Sequence, residues 1–217
     1  MGGRVGERAG AYGLVAKPRA GSRRDDILAV AKDLFHRQGY ANTSLDDIAQ
    51  AVGIRREGIY YYFENRVEIL ITIIRPLGEH LRDSLAEIVA QDRDPVGKLR
   101  LAVENHLLRF EHRFPESKIT LRDDYFSENR EVLAVMGPIW DQYEVLWTGL
   151  IKGGQDDGVF NPALDARLTY YGILGMCNWV ARWYQPGQPP TVPELVEQYF
   201  TFIAGGLLHG VGEAGGS

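Results

Sequence analysis

Read for hydrophobic spacing, the chain is a succession of helical stripes, and no segment alternates as a strand would. Ile27, Ala31, Leu34 and Phe35 recur every three or four residues behind Ser22, which can cap a helix, and Asp25, which stands at the reciprocal capping position. Gly39 supplies a left-handed stop. The same grammar repeats at once with Ser44 and Asp47, the apolar set Leu45, Ile48, Ala49 and Val52, and a stop at Gly53. A third short segment, Ile54 to Phe63, ends near Glu64-Asn65.

From Val67 the stripe lengthens through Leu70, Ile74, Leu77, Leu81, Leu85 and Ile88, the mark of a long amphipathic helix. Pro76 lies inside it, where it removes a backbone hydrogen bond and kinks the helix. Asp94-Pro95 opens a helix to about Arg113, and Phe114-Pro115 breaks it. Further helices are expected over Glu116 to Tyr125, Asn129 to Lys152, Asp165 to Tyr184 and Pro193 to Leu208. Gly153-Gly154, Asp157-Gly158 and the loop PGQPPT separate the last three. The expected fold is all-α. Residues 21–66 form a three-helix domain and 67–217 a larger helical domain, while 1–20, basic and aperiodic, read as a disordered tail.

Of the 217 residues, 45% are hydrophobic and 24% charged, the balance of a soluble globular protein. Cys177 is the single cysteine, which excludes an internal disulfide and fits a reducing compartment. No apolar run approaches the roughly 18 residues of a membrane span. The N-terminal arginines have no apolar core behind them to make a signal peptide. A cytoplasmic protein without a membrane partner is expected. The net charge of −5 argues against a nucleic-acid partner until it is divided: residues 1–70 carry +2 and the remainder −7.

Three short helices set apart by glycine turns, ahead of a long one, are the layout of a helix-turn-helix domain. The segment after Gly53 can project into a major groove, which is about 12 Å wide and admits a helix. Arg55, Arg56 and Glu57 stand at its leading end, where arginine can bond guanine bidentately and glutamate can accept from cytosine. Tyr60, Tyr61 and Tyr62 offer hydroxyls to phosphates and rings to thymine methyls, with core packing as the alternative for Tyr60 and Tyr62. Arg66 and the Ser44 hydroxyl are candidate phosphate contacts.

These residues carry a specific resemblance. The stretch RRDDILAVAKDLFHRQGYANTSLDDIAQAVGIRREGIYYYFENRVEIL resembles the DNA-binding domain of the tetracycline-repressor (TetR) family through ILAVAKDLF, GY, TS, DIA, AVGI, IYYYF and the basic residue before EIL. The resemblance implies a ligand-responsive repressor that binds a palindromic operator as a dimer. With the residues above, it puts Thr43, Ser44, Arg55, Arg56, Glu57, Gly58, Tyr60, Tyr61, Tyr62 and Arg66 at DNA. Two positions depart from the pattern. Arg55 replaces a capping serine, at about 1 kcal/mol of local helix stability, and Gly58 lacks a phosphate-holding hydroxyl.

The second half is aromatic and acidic. Trp140, Tyr143 and Trp147 share one helix, and Trp179, Arg182 and Trp183 crowd the end of another. They read either as core or as the walls of a small-molecule cavity, with Arg182 an ion-pair partner or an anion anchor. Gly172 and Gly175, on a face continuing through Asn178, allow close helix approach, and Val196, Phe200, Ile203 and Leu207 form a stripe on the last helix. Two such helices per chain suit a four-helix homodimer interface, and the family's dimer uses its last two long helices. The run GILGMCNWVARWYQPGQPPTVPELVEQYFTFIAGGL is also similar to TetR-type repressors of fatty-acid and steroid catabolism, through its NW..RWY.P element. That likeness implies an acyl-CoA effector near Trp179, Arg182 and Trp183, with Arg182 toward CoA phosphates.

No cofactor and no metal site is expected. Two alternatives stand beside the acyl-CoA-responsive repressor: a repressor sensing a drug-like hydrophobic ligand, favoured by a carboxylate-lined cavity, and a CoA-thioester-using enzyme. For the enzyme, Cys177, His106, His112 and Asp123-Asp124 are available but sit in no catalytic motif. The reading is therefore of a non-enzyme.

Overall fold

The computed structural model describes residues 22–122 and 129–208, so the tail 1–20, Asp123-Asp124 and Tyr125 lie outside it. Among the described residues the regular elements are helices, with one isolated bridge between Phe160 and Leu208. They are α1 (Arg23–Gln38), α2 (Leu45–Val52), α3 (Arg56–Tyr60), α4 (Arg66–Ala90), α5 (Pro95–His112), α6 (Phe114–Arg122), α7 (Arg130–Asp156), α8 (Ala166–Trp183) and α9 (Val192–Leu207).

Side-chain oxygens explain where most of these helices start. Ser22 with Asp25, Ser44 with Asp47 and Thr191 with Glu194 form reciprocal capping boxes. Asn65, Asp94, Asn129 and Asp165 each accept from a first-turn N–H. α3 is the exception. Arg55 precedes it without a side-chain cap, and the helix spans five residues where the apolar pattern predicts Ile54 to Phe63. Gly53 turns the chain at φ 77°, and Tyr62 and Phe63 close the far end on the carbonyl of Ile59.

The N-terminal helices do not close a core of their own. Ile27, Phe35, Tyr40, Ile48, Ile59 and Phe63 join Ile69 and Ile74 of α4, Ile119 of α6, and Val132, Met136 and Ile139 of α7 in one apolar cluster. A second cluster gathers the rest of α4 with α5, α7, α8 and α9 around fully buried Trp147, Phe110 and Phe160. Each large side chain so buried contributes roughly 1.5–3 kcal/mol. Gly78 lets α4 and α7 approach closely: a Cβ there would stand 2.9 Å from Met136 Cε. Both helices of that pair carry an interior proline, Pro76 in α4 and Pro138 in α7, the second not singled out in the sequence.

Further features differ from the sequence reading, among them Gly153-Gly154, which lies inside α7 rather than in a turn that ends it. The break after α5 falls at Arg113, one residue earlier than expected, and Pro115 lies in the first turn of α6. The stripe Val196, Phe200, Ile203 and Leu207 on α9 faces the chain's own core, not a second copy. Val196, Ile203 and Leu207 are buried, and Phe200 lies under Arg100 of α5 at 5.0 Å. On α8, Gly172 and Gly175 face outward while Asn178 turns inward, so the outer face continues through Trp179. Periodicity finds an apolar face but not what covers it.

Gly154, near the end of α7, lies against the buried Phe160 ring, and its carbonyl accepts from Val159 and Phe160 at 2.9 Å. A methyl at this position would overlap the ring. Gly154→Ala is expected to cost about 1–3 kcal/mol despite its gain in helix propensity, lowering the melting temperature by roughly 2–4 °C per kcal/mol. Thermal denaturation followed by circular dichroism checks it.

Candidate functional site

The tip made by α2 and α3 presents an exposed polar surface: Ser44, Asp46, Gln50, Arg55, Arg56, Glu57, Tyr60 and Tyr61. The Ser44 hydroxyl is engaged with Asp47, donating at 2.6 Å, and together with the Ser44 N–H it holds that carboxyl below its ordinary range. Arg56 donates to Asp46 Oδ2 at 2.8 Å and to the Tyr60 hydroxyl at 3.2 Å. Arg56 is thus oriented across the two helices by an acidic neighbour that the sequence reading did not single out. Arg55 and Glu57 are exposed beside it. Tyr61 is 83% exposed, whereas Tyr62 packs partly on the apolar cluster and Gly58 is half-buried over Ile54.

Two residues expected at DNA are committed elsewhere. Thr43 is fully buried, its hydroxyl donating to the Gly39 carbonyl at 2.8 Å. Arg66 donates to the carbonyls of Tyr40 and Thr43, and its guanidinium lies 4.1 Å from the centroid of the Tyr40 ring. It therefore ties the α1–α2 connection to the start of α4. Short motifs mark such residues in sequence without showing whether the side chain faces the duplex or the protein.

A cavity of about 250 Å³ lies between α4, α5, α6, α7 and α8. Its apolar walls include Leu77, Leu81, Leu121, Met136, Trp140 and Leu174. His106, Arg109, Tyr143 and Asn178 supply its polar part. His106 Nδ1 is 2.9 Å from the Tyr143 hydroxyl, and Nε2 is 2.9 Å from Asn178 Oδ1, which also accepts from Arg109. Burial first, and Arg109 second, hold His106 well below the usual imidazole range. Assigning the proton to Nε2 then leaves Nδ1 to accept from Tyr143 and completes the network. Burial also pushes the Tyr143 hydroxyl up and pulls Arg109 down to about 10, still a cation at neutral pH. No carboxylate lines the cavity among the described residues.

Of the aromatic residues singled out in sequence, Trp140 and Tyr143 reach this cavity. Trp147 is fully buried behind Tyr143, ring edge to face at 6.3 Å. Trp179, Arg182 and Trp183 are not in the lining; they are exposed on the outer side of α8, with Arg182 6.0 Å from the Trp179 ring centroid. Arg182 instead shares a shallow surface pocket of about 250 Å³ with Lys118, Ala181 and Leu121. Leu121 lines both spaces. The sequence reading missed Arg109 and Asn178 as cavity residues. A signal existed: Leu99, Ala102, Val103, His106 and Arg109 follow helical spacing on the buried side of α5, so an apolar stripe ends in two polar residues.

The Cys177 thiol is buried and pushed up to about 12, which leaves it protonated and inert.

The family model for bacterial regulatory proteins of the tetR family matches residues 27–73, and that for tetracyclin repressor-like C-terminal domains matches residues 92–207. The HTH-type transcriptional repressor KstR2 of Mycolicibacterium smegmatis is 28% identical over 200 residues, covering 88% of this chain and 94% of that protein. The structure of the ketosteroid transcriptional regulator KstR2 of Mycobacterium tuberculosis superposes with a TM-score of 0.74 at 26% identity, over 88% of this chain and 97% of that one. The fatty acid metabolism regulator protein of Bacillus subtilis is 23% identical over 184 residues, 83% of this chain and 93% of that protein.

Arg55→Ala and Arg56→Ala are each expected to weaken binding to a promoter fragment by about 1–3 kcal/mol while leaving the fold intact. Arg66→Ala should instead lower thermal stability, since the charge-assisted bonds it makes contribute about 1.5–3 kcal/mol each. Melting curves and DNA titrations on the three variants separate the roles; an unchanged melting temperature for Arg66→Ala would contradict this assignment.

Proposed function

The chain belongs to the TetR family of bacterial regulatory proteins, and from that footing we propose a repressor that binds a two-fold operator as a homodimer and releases it on binding an acyl-CoA thioester. The observation that carries this reading is the pair of spaces that meet at Leu121: a largely apolar cavity between the helices, and a basic surface pocket at Lys118 and Arg182. An acyl-CoA has the matching construction, an apolar acyl group joined to an anionic phosphate-bearing carrier. The named roles of the relatives in ketosteroid and fatty-acid regulation agree with such a ligand. Among the described residues no carboxylate awaits a cationic drug in the cavity, and the one full charge that lines it is the positive Arg109.

Dimerisation is supported by what α8 and α9 leave uncovered. Leu168, Tyr171, Trp179 and Trp183 follow one outer side of α8, and Phe202 on α9 is 75% exposed. Aromatic and aliphatic side chains so exposed mark a surface that a second copy covers. The two α3 tips would then meet half-sites about 34–36 Å apart, or a multiple of that.

α6 connects the two functions. Thr120 and Leu121 line the cavity, Ile119 is packed into the cluster of the N-terminal helices, and Glu116 accepts from Lys32 of α1 at 3.1 Å. A ligand that shifts α6 therefore shifts α1, and with it the tip. α4 runs beside the same cavity through Leu77 and Leu81 and continues into the N-terminal cluster.

Electrophoretic titration of the DNA upstream of its own gene, with and without a panel of acyl-CoAs, tests the reading; release by none of them overturns it. In the double variant Lys118→Ala/Arg182→Ala, acyl-CoA affinity measured by calorimetry should fall about tenfold, near 1.4 kcal/mol, with DNA affinity unchanged. Glu116→Gln should leave acyl-CoA affinity in place yet raise the concentration needed for DNA release, by a factor of about 5 or more.

A further inference from the structure

The polar part of the cavity is unbalanced. Arg109 is buried, with 7% of its surface exposed, and it enters no ion pair among the described residues. Its hydrogen bond runs to the neutral amide oxygen of Asn178, and its Nε is buried with no partner. Arg109 also lines a smaller pocket of about 130 Å³ with Asn105, whose amide nitrogen is likewise buried and unpartnered. A buried guanidinium keeps its proton and loses its water, and that loss is offset only by an opposite charge or a full set of acceptors. The Phe110 ring at 4.7 Å gives a weaker compensation.

We propose that the buried end of the effector is a carboxylate held by Arg109. This inference deepens the reading of the cavity as the effector site and rests on it. A purely alkyl acyl end would leave the guanidinium desolvated and unpaired, and a ketone would satisfy one N–H without cancelling the charge. A carboxylate does both, since its two oxygens match the planar fork of donors. His106, Tyr143 and Asn178 are positioning residues: their chain of hydrogen bonds fixes the amide oxygen that holds Arg109. The volume of about 250 Å³ is near the low end for small-molecule sites, which limits the ligand to a short chain. The carboxylate can come from the far end of an acyl thioester or from a free short-chain acid.

Calorimetric titration of the full-length protein with two matched pairs separates these sources: adipoyl-CoA against hexanoyl-CoA, and hexanoate against hexanamide. Adipoyl-CoA is expected to bind at least about tenfold more tightly than hexanoyl-CoA. Arg109→Gln should bring the two within about twofold, while Arg109→Lys keeps part of the difference. Equal affinities of wild type for the two thioesters overturn the carboxylate and leave the acyl-CoA reading standing. If neither thioester binds but hexanoate does, and hexanamide does not, the carboxylate stands and the thioester reading falls. No binding in any arm overturns both. The comparisons on wild type need no variant, so they decide the matter even where Arg109→Gln fails to fold.

Discussion

The constraint on which the rest of this molecule depends is that its three N-terminal helices bury too little apolar surface to stand alone. α2 has eight residues and α3 five, so the interior they enclose is completed by Ile69 and Ile74 from α4, Ile119 from α6, and Val132, Met136 and Ile139 from α7. Met136 and Ile139 also face the cavity. The helices that complete the core of the α2–α3 tip are therefore also the ones that line the cavity, and packed cores transmit displacement rather than absorb it.

The tip itself is organised by polar contacts more than by helix propensity. α3 lacks a side-chain cap, and its position is set by Gly53, by burial of Ile59 and Phe63, and by Arg56 reaching back to Asp46. Arg66 supports it from below through the carbonyls of Tyr40 and Thr43. A charged residue serves here as a strut inside the protein, while Arg55 and Arg56 stay exposed at the tip. Arg56 is exposed yet already paired with Asp46, so its orientation at the tip is set within the protein.

In the cavity the same chemistry is inverted. A cation, a neutral imidazole, a phenol and an amide are collected inside an apolar bundle, and their mutual hydrogen bonds satisfy all but the guanidinium. Polar groups so placed cost stability unless something completes them. Here they gather at one end of an otherwise apolar space, and the Arg109 Nε is left without a partner.

The order and approximate limits of most helices, the capping residues Ser22, Ser44 and Asp94, the stops at Gly39 and Gly53 and the all-helical fold were legible in the linear order of residues, because caps, turns and apolar periodicity are local properties. Arg55, Arg56 and Glu57 could be assigned to the exposed leading end of α3 for the same reason. What the sequence could not decide was which partner each side chain meets. Thr43 and Arg66 turn into the protein, Trp179, Arg182 and Trp183 stay outside the cavity, and the stripe on α9 from Val196 to Leu207 packs on the chain itself. His106, Arg109 and Asn178 converge from α5 and α8, 69 and 72 residues apart. Spacing along a helix fixes only a direction around its axis; the neighbour waiting in that direction is set by how the helices cross, and that is a property of the packed whole.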